Sequence, residues 1–528
     1  MVNTGVNWTI GDGLKKIAWR MPEKTALIFE DKFITYRELN EGANRVAHFL
    51  KEKGIKKGDR IAVYLRNCPE FLEVYFAAAK LGVILVTLNF RLTGSETEYE
   101  LNNSGSRLLV FHDVYATFID FHSLNSTVED DKYICVRSVV PEFEVCVPDW
   151  AVEFHQAVDR YPACEPELDE PVDLNDPLAI IYTSGVTGVP KGAIVSHLQT
   201  FFKNIQIGEY AYIAYIAGDM ITACQIPFFH SGGLFIIATP LLLGGGTLVT
   251  RERLDPVKFC QDMEKYKATA TFSLTTMWEI MLGSGMLDKV DLSSLKMAVG
   301  GGERTPQKLL DDLAERGIYL MEGYGQTENS AMSFMPIDAV GKKKGSVGLS
   351  GICTDVWVAD EKGNKLPPGQ VGRILCKGPT VFSGYWQMPE KTREVLSPDG
   401  VLDTGDLGYM DEDGFLYIVG REKDMYRSGG ENVYPVEIEK VLRGYPKIAG
   451  VAIIGVPDEK WKEVGKAFIV PKKGEKITKE EILSFLEGKV AHFKFPKYIK
   501  FIDELPLTAD MKVRKVELKQ KYGSPSDD

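Results

Sequence analysis

The chain has 528 residues, 44% of them hydrophobic, and a formal net charge of −12. That supplies enough apolar sequence for several domain-sized cores, and the acidic balance excludes non-specific nucleic-acid binding, which needs clustered Lys and Arg to displace counterions. Eight cysteines stand apart without CxxC pairs, which argues against a disulfide framework or a zinc ribbon.

The first twenty residues carry Asp12, Lys15, Lys16 and Arg20 among scattered apolar residues. They lack the hydrophobic core of a secretory signal, so a cytoplasmic protein is expected. From Thr25 to Leu178, β-rich runs at 26–29, 60–65, 83–87 and 107–111 alternate with helical periodicity at 36–53, 70–81 and 94–103. Such alternation predicts α/β layers. It continues through 222–227, 247–250, 270–273 and 296–299, giving one large α/β body over residues 1–420. The most apolar stretch, Leu234 to Val249, is broken by Pro240 and Gly244 to Gly246 and is too short to span a bilayer, so it reads as core. Residues 421–528 change texture. Hairpin strands are expected at 414–420 and 423–427, then a helix at 435–443 opened by proline, strands at 451–456 and 466–470, and a helix at 479–489 capped by Thr478. The fold class is thus α/β, a large N-terminal body with a small C-terminal α+β lid, and the acidic end 523–528 is expected to be disordered.

The run Tyr182-Thr183-Ser184-Gly185-Val186-Thr187-Gly188-Val189-Pro190-Lys191-Gly192 follows the apolar strand 178–182. Glycines let a backbone curl with its N–H groups inward, hydroxyls donate more hydrogen bonds, and a lysine brings positive charge, so the loop is suited to phosphate. It lacks the spacing of a Walker A loop. Further islands follow in order: Phe229-His230-Ser231-Gly232-Gly233, Gly300-Gly301-Gly302-Glu303, Gly323-Tyr324-Gly325-Gln326-Thr327-Glu328, Thr404-Gly405-Asp406, Arg421-Glu422-Lys423, Ser428-Gly429-Gly430-Glu431 and a late Lys512.

This ordered set, spanning about residues 20–518, resembles the adenylate-forming superfamily and within it the AMP-forming acyl-CoA synthetases. The chemistry accounts for the residue types. A carboxylate is a poor acyl donor until its oxide is replaced, and attack on the α-phosphate of ATP does that while gathering two anions in one site. Positive charge and backbone donors must therefore converge there.

The resemblance implies ATP, Mg2+ and coenzyme A as reactants, with the following residues. Thr183, Ser184, Gly185, Thr187, Gly188 and Lys191 would grip the phosphates. Val186 stands where the family usually has a hydroxyl. Gly301, Gly302, Glu303, Gly323, Gly325 and Gln326 would line the nucleotide, with Tyr324 against adenine, Thr327 at the α-phosphate, and Asp406 and Arg421 at the ribose. Glu328 with Thr183 would hold Mg2+. His230 would position the substrate carboxylate, which is already ionised and needs no base. Lys512, preceded here by Met511 and not by glycine, would bridge carboxylate and α-phosphate. Lys423 would be the hinge about which the lid rotates, bringing in Ser428, Gly429, Gly430 and Glu431 for CoA, with Trp461, Phe493 and Lys497 at its nucleotide end. An acyl pocket of Phe229, His230, Gly300, Gly301, Gly325, Ala331 and Met332 is small or apolar and has no cation for a second carboxylate. A monocarboxylic acid is expected, a fatty acid of medium or longer chain first and an aryl acid second. The partners implied are this acid, ATP and CoA, with no nucleic acid and no integral membrane segment; a homodimer is left open. A luciferase-like oxygenase, a ligase loading a carrier protein and a silent nucleotide-binding protein are the alternatives.

Overall fold

A computed structural model describes residues 8–140, 145–183, 189–216, 220–302, 305–507 and 513–524. Two large sheets form the N-terminal domain. The seven-stranded sheet runs Val152–Glu153, Tyr133–Val136, Ser106–His112, Arg60–Tyr64, Ile84–Thr87, Pro177–Thr183 and Lys191–Ser196 across its width. Only the last pair is antiparallel. In the nine-stranded sheet, Leu320–Gln326, Met297–Gly301, Ala270–Leu274, Ile221–Cys224, Thr247–Thr250 and Thr25–Phe29 lie parallel side by side. Hairpin strands flank them at Ser330–Phe334, Leu349–Ser350 and Lys32–Thr35.

Strands buried on both faces read as continuous apolar runs, and both large sheets have helices to cover them. Between the sheets, the helices Tyr36–Glu52 and Pro69–Leu81 place Leu39, Phe71 and Phe76 in one core with Val63, Leu85, Leu27 and Val299. The long helix is opened by a capping box in which Thr35 and Glu38 satisfy each other's backbone N–H. The other face of the nine-stranded sheet packs a second core around Trp278.

A four-stranded antiparallel sheet, Asp355–Ala359 to Leu416–Arg421, follows. The smaller C-terminal domain is a five-stranded sheet built on the hairpin Ile448–Asp458 and Lys462–Pro471. The helices Pro435–Arg443 and Lys479–Leu486 bury Ile438, Leu442, Ile482 and Leu486 against it. Leu518 of the terminal helix Lys515–Tyr522 packs with Ala452 and Phe468.

The expected α/β layers and lid-sized unit are present. The expected strand at 423–427 is instead a 3-10 turn, Glu422–Asp424, followed by the strand Tyr426–Ser428. The helices Ile10–Arg20 and His197–Ile216 have no counterpart in the sequence reading. Leu234 to Val249 is core, split into the π-helical turns Gly232–Ala238, the helix Thr239–Leu243 and a strand. No helix among the described residues is long and apolar enough to cross a membrane.

Candidate active site

The hairpin Leu320–Gln326 and Ser330–Phe334 shifts register between Tyr324 and Gly325. A side chain at Gly325 would lie 1.5 Å from the Ser330 carbonyl oxygen, so glycine is required by the approach of two backbones. Ser330 itself takes φ 60°, a conformation that costs a non-glycine residue on the order of 1–3 kcal/mol. The turn between them is pinned by the Gln326 N–H donating to Asn329 Oδ1 at 2.7 Å, and it presents Thr327 and Glu328.

Asp406 is the centre of the polar half. The Tyr324 hydroxyl donates to its carboxylate, Gln326 Nε2 donates to Oδ2 at 2.7 Å, and Arg421 Nε lies 2.7 Å from Oδ1. Gln326 Nε2 also donates to the Thr404 carbonyl at 2.9 Å. Burial pushes the Asp406 carboxyl above its ordinary range, and Arg421, Tyr324 and Gln326 pull against that shift. Tyr324 is therefore tied through its hydroxyl to the same carboxylate.

On the phosphate side, Thr183 pairs with Lys191 across the antiparallel strands, and the Thr183 hydroxyl donates to the Lys191 carbonyl at 3.4 Å. Ser184 to Gly188, Glu303 and Lys512 lie outside the described residues. Lys191 Nζ sits 4.7 Å above the centre of the Tyr385 ring, whose hydroxyl donates to Glu328 Oε1 at 2.7 Å. Tyr385, absent from every sequence motif, thus joins the loop lysine to the candidate metal carboxylate. No group of three or more metal-ligating side chains occurs among the described residues. A lone Glu328 fits Mg2+, which is usually held by one or two carboxylates plus substrate phosphates.

Between these halves the Thr327 and Ser231 hydroxyls lie 3.5 Å apart. His230 Nδ1 accepts from the Gly232 N–H at 3.1 Å, which leaves the proton of the neutral ring on Nε2. Behind Glu328, Lys203 is a lysine of 2% exposure that sequence reasoning missed. Burial pushes it down to about 7, with Glu328 acting in the opposite direction.

An apolar cavity of about 270 Å³ lies under the nine-stranded sheet's inner face, lined by Phe272, Val299, Met321, Phe334, Ile237 and Leu241 among others. None of Phe229, His230, Gly300, Gly301, Gly325, Ala331 and Met332 lines it. Side chains alternate along a strand, so a side chain on Gly300 would meet Leu320 in the outer core, whereas Gly301 turns toward Phe272 at 3.6 Å. Gly323 points at Phe334 at 2.8 Å. Gly301 and Gly323 therefore form a floor, and the Phe272 and Phe334 rings separate it from the cavity. Phe229 packs edge-on against Phe90 and Met332 is fully buried beside Asn329.

In the C-terminal domain, Gly429 has φ 60° and a side chain there would lie 2.7 Å from the Trp461 ring. Trp461 and Phe493 are each 44% exposed, and Lys497 pairs with Asp458, which also accepts from the Trp461 N–H at 2.8 Å. Ser428, Gly430, Glu431, Trp461 and Lys497 thus share one hairpin end; Lys423 stands in the turn before it. Leu507 and Val513 form an isolated antiparallel bridge on either side of the segment holding Lys512.

Comparison with known proteins agrees with this geometry. The family model "AMP-binding enzyme" matches residues 14–386, and that of the "AMP-binding enzyme C-terminal domain" matches 437–512. The chain is 35% identical over 519 residues to a feruloyl-CoA synthase of Amycolatopsis sp, covering 98% of this chain and 100% of the relative. It is 34% identical to an indoleacetate–CoA ligase of Aromatoleum aromaticum, covering 94% and 95%. Among solved structures, ATP-bound MatB from Rhodopseudomonas palustris superposes with TM-score 0.84 at 30% identity, covering 97% and 99% of the two chains.

The chain belongs to the AMP-binding enzyme family, within the adenylate-forming superfamily. It is an AMP-forming acid–thiol ligase, a class that works with ATP, Mg2+ and CoA.

Proposed function

We propose that the protein adenylates a compact monocarboxylic acid and then transfers the acyl group to CoA. The observation that carries this reading is the convergence of Lys191, Tyr385 and Glu328 from one side, and Tyr324, Asp406 and Arg421 from the other, on the turn that bears Thr327. One side is suited to phosphates and the other to a nucleoside. Asp406 would accept from the vicinal ribose hydroxyls on lone pairs its internal donors leave, and Arg421 would support the same ribose. Tyr324 would lie along the adenine, and Thr327 would contact the α-phosphate.

In the first step a carboxylate oxygen attacks the α-phosphorus, the α–β phosphoanhydride bond breaks, and pyrophosphate departs. His230 orients the carboxylate and Lys512 stabilises the charge that builds between carboxylate and phosphate. Mg2+, held by Glu328 with Thr183, would neutralise phosphate charge when bound. In the second step the thiol sulfur of CoA attacks the acyl carbon, AMP leaves with the electrons of the acyl–oxygen bond, and the thiol proton passes to solvent. Residues 421–528 act as a lid turning about Lys423, exchanging Lys512 for Ser428 to Glu431, whose glycines admit a narrow pantetheine arm. Trp461, Phe493 and Lys497, exposed on the lid, would receive the CoA nucleotide.

For the acid, a cavity of about 270 Å³ lies just below the ~300–1,000 Å³ of ordinary ligand pockets. It suits a ring or a medium chain better than a long one. Relatives named for feruloyl-CoA and indoleacetate support placing the aryl acid ahead of the fatty acid. Pyrophosphate release from ATP and Mg2+, measured against aryl and fatty acids with and without CoA, tests the reading. Acid-dependent release, lost in Lys512→Ala and speeded by CoA, is expected. ATP binding without release for any acid would overturn it.

A further inference from the structure

The helix Ile10–Arg20 has two sharply different faces. Ile10, Gly11, Leu14, Ile17 and Ala18 are buried and, at about 100° per residue, fill an arc of about 120°. Lys15, Lys16, Trp19 and Arg20 are exposed and fill an arc of about 140° on the other side. Trp19, at 79%, is the most exposed large apolar side chain among the described residues. Lys15, Lys16 and Arg20 make no hydrogen bond or ion pair with any described residue. The one acid of the helix, Asp12, is spent at its N-terminus, where its carboxylate accepts from the Thr9 N–H and hydroxyl, both at 2.9 Å. Glu23, just beyond the helix, pairs with Arg37.

The chain holds 74 acidic residues against 62 Lys and Arg, so three neighbouring cations left without a carboxylate, around a bare indole, stand out from the rest of the surface. The net charge does not cancel them, because exposed charges more than about 10 Å away are largely screened at 0.1 M salt. The same helix lies against the elements that wall the apolar cavity. A side chain on Gly13 would meet Leu243 at 2.9 Å, and Leu243 ends the helix Thr239–Leu243, whose Pro240 and Leu241 line that cavity.

We infer that the outer face of the helix Ile10–Arg20 docks on the surface of a bilayer containing anionic lipids, with Trp19 at the headgroup level and Lys15, Lys16 and Arg20 against lipid phosphates and carboxylates. Charge complementarity carries the cations: each Lys or Arg held near an anionic leaflet strengthens binding by about fivefold. The indole selects the partner. Tryptophan favours a membrane–water boundary, where an apolar body meets a polar layer, whereas a duplex nucleic acid offers phosphates and no apolar layer for it. The apolar stripe of this helix is already buried in the protein core, so the contact is peripheral and reversible. It is independent of the ligase reading, because docking requires no turnover.

Co-sedimentation of the full chain with vesicles of phosphatidylcholine, alone or mixed with phosphatidylserine, tests the inference. Wild type should bind the mixed vesicles and hardly the neutral ones, and binding should weaken as salt is raised above about 0.1 M. Replacing Lys15, Lys16 and Arg20 together by Gln should weaken it by about a hundredfold, and Trp19→Ala alone by severalfold. Because all four side chains are exposed, the variants should keep the wild-type urea midpoint. Brominated lipid in the mixed vesicles should quench part of the wild-type tryptophan fluorescence, and that part should vanish in Trp19→Ala. Equal binding to neutral and mixed vesicles would overturn the inference, as would binding that neither variant changes. Binding to a DNA duplex as tight as to the mixed vesicles, with no quenching of Trp19 by brominated lipid, would also overturn it and leave a general anion-attracting patch.

Discussion

Asp406 takes hydrogen bonds from Tyr324 and Gln326 and an ion pair from Arg421, all within the protein. The apolar cavity, by contrast, is walled by Phe272, Val299, Met321, Phe334, Ile237 and Leu241. The two ends of one site are thus organised differently. Internal donors hold the nucleotide end in place before any ligand arrives, so little ordering remains for ATP to bring about. The cavity end offers mainly apolar surface, so binding energy there depends on how well the acid that enters fills it. The first arrangement serves an invariant co-substrate, the second a chosen one.

The strongest way to break this contrast removes the charge that acts on the transferring phosphorus. Lys512→Ala should slow adenylation by about 10²–10³-fold, the cost of deleting one preorganised stabilising group, while leaving thioester formation from supplied acyl-adenylate and CoA nearly intact. Single-turnover measurement of each half-reaction checks it. Equal loss in both halves would contradict an exchange of Lys512 for the Ser428 loop.

Next in size is Asp406→Ala. It removes the ribose acceptor and strands three internal donors, so KM for ATP should rise by tenfold or more. Stability should fall by roughly 1–3 kcal/mol for the unpaired groups, and urea unfolding beside ATP-dependent kinetics separates the two effects. KM for the acid should hardly move. A matching rise in both would mean that the two ends are not independently built.

Tyr385→Phe is subtler, because it keeps the ring beneath Lys191 and deletes only the hydroxyl that holds Glu328. One neutral hydrogen bond to a charged group is worth about 1.5–3 kcal/mol, so a loss of about ten- to a hundredfold in kcat/KM for ATP is expected, partly restored by raising the Mg2+ concentration. Tyr385→Ala should add the loss of the lysine's aromatic support.

The same contrast explains what the sequence made legible. The nucleotide end is written in contiguous strings, because a turn such as 324–328 must place several groups within a few residues, and glycines such as Gly325 mark where backbones touch. The cavity is assembled from many elements: Thr222, Phe272, Val299, Met321 and Phe334 come from five strands, and only their register brings them together. Alternation along a strand sends Gly301 inward and its neighbour Gly300 outward, a parity that a glycine triplet hides. Tyr385 lies far in sequence from both residues it joins. Lys203 and Asn204 sit on a helix whose polar residues gave no periodic signal, because that helix is covered on more than one side.

The smallest expected effect concerns acid. His197, at the start of the helix that carries Asn204, and His112, at the end of a first-sheet strand, are fully buried. Each accepts a backbone N–H on Nδ1, from Ile10 at 3.3 Å and Arg66 at 3.0 Å, and neither Nε2 has a partner. Burial pushes His197 down to about 4 and His112 to about 3, against an unfolded value of 6.5. Both folded values are depressed, so the unfolded chain binds more protons once the pH drops below about 6.5. Stability should therefore be level above that point with respect to these groups, and fall as the pH goes from 6.5 toward 4, by up to ~1.4 kcal/mol per pH unit for each histidine. His197→Asn should remove about half of the histidine share of that slope, as read from urea midpoints at pH 4.5 to 7.5. A variant with the wild-type slope would show that the buried ring is not what the acid attacks, and that the helix bearing Asn204 is secured by other contacts.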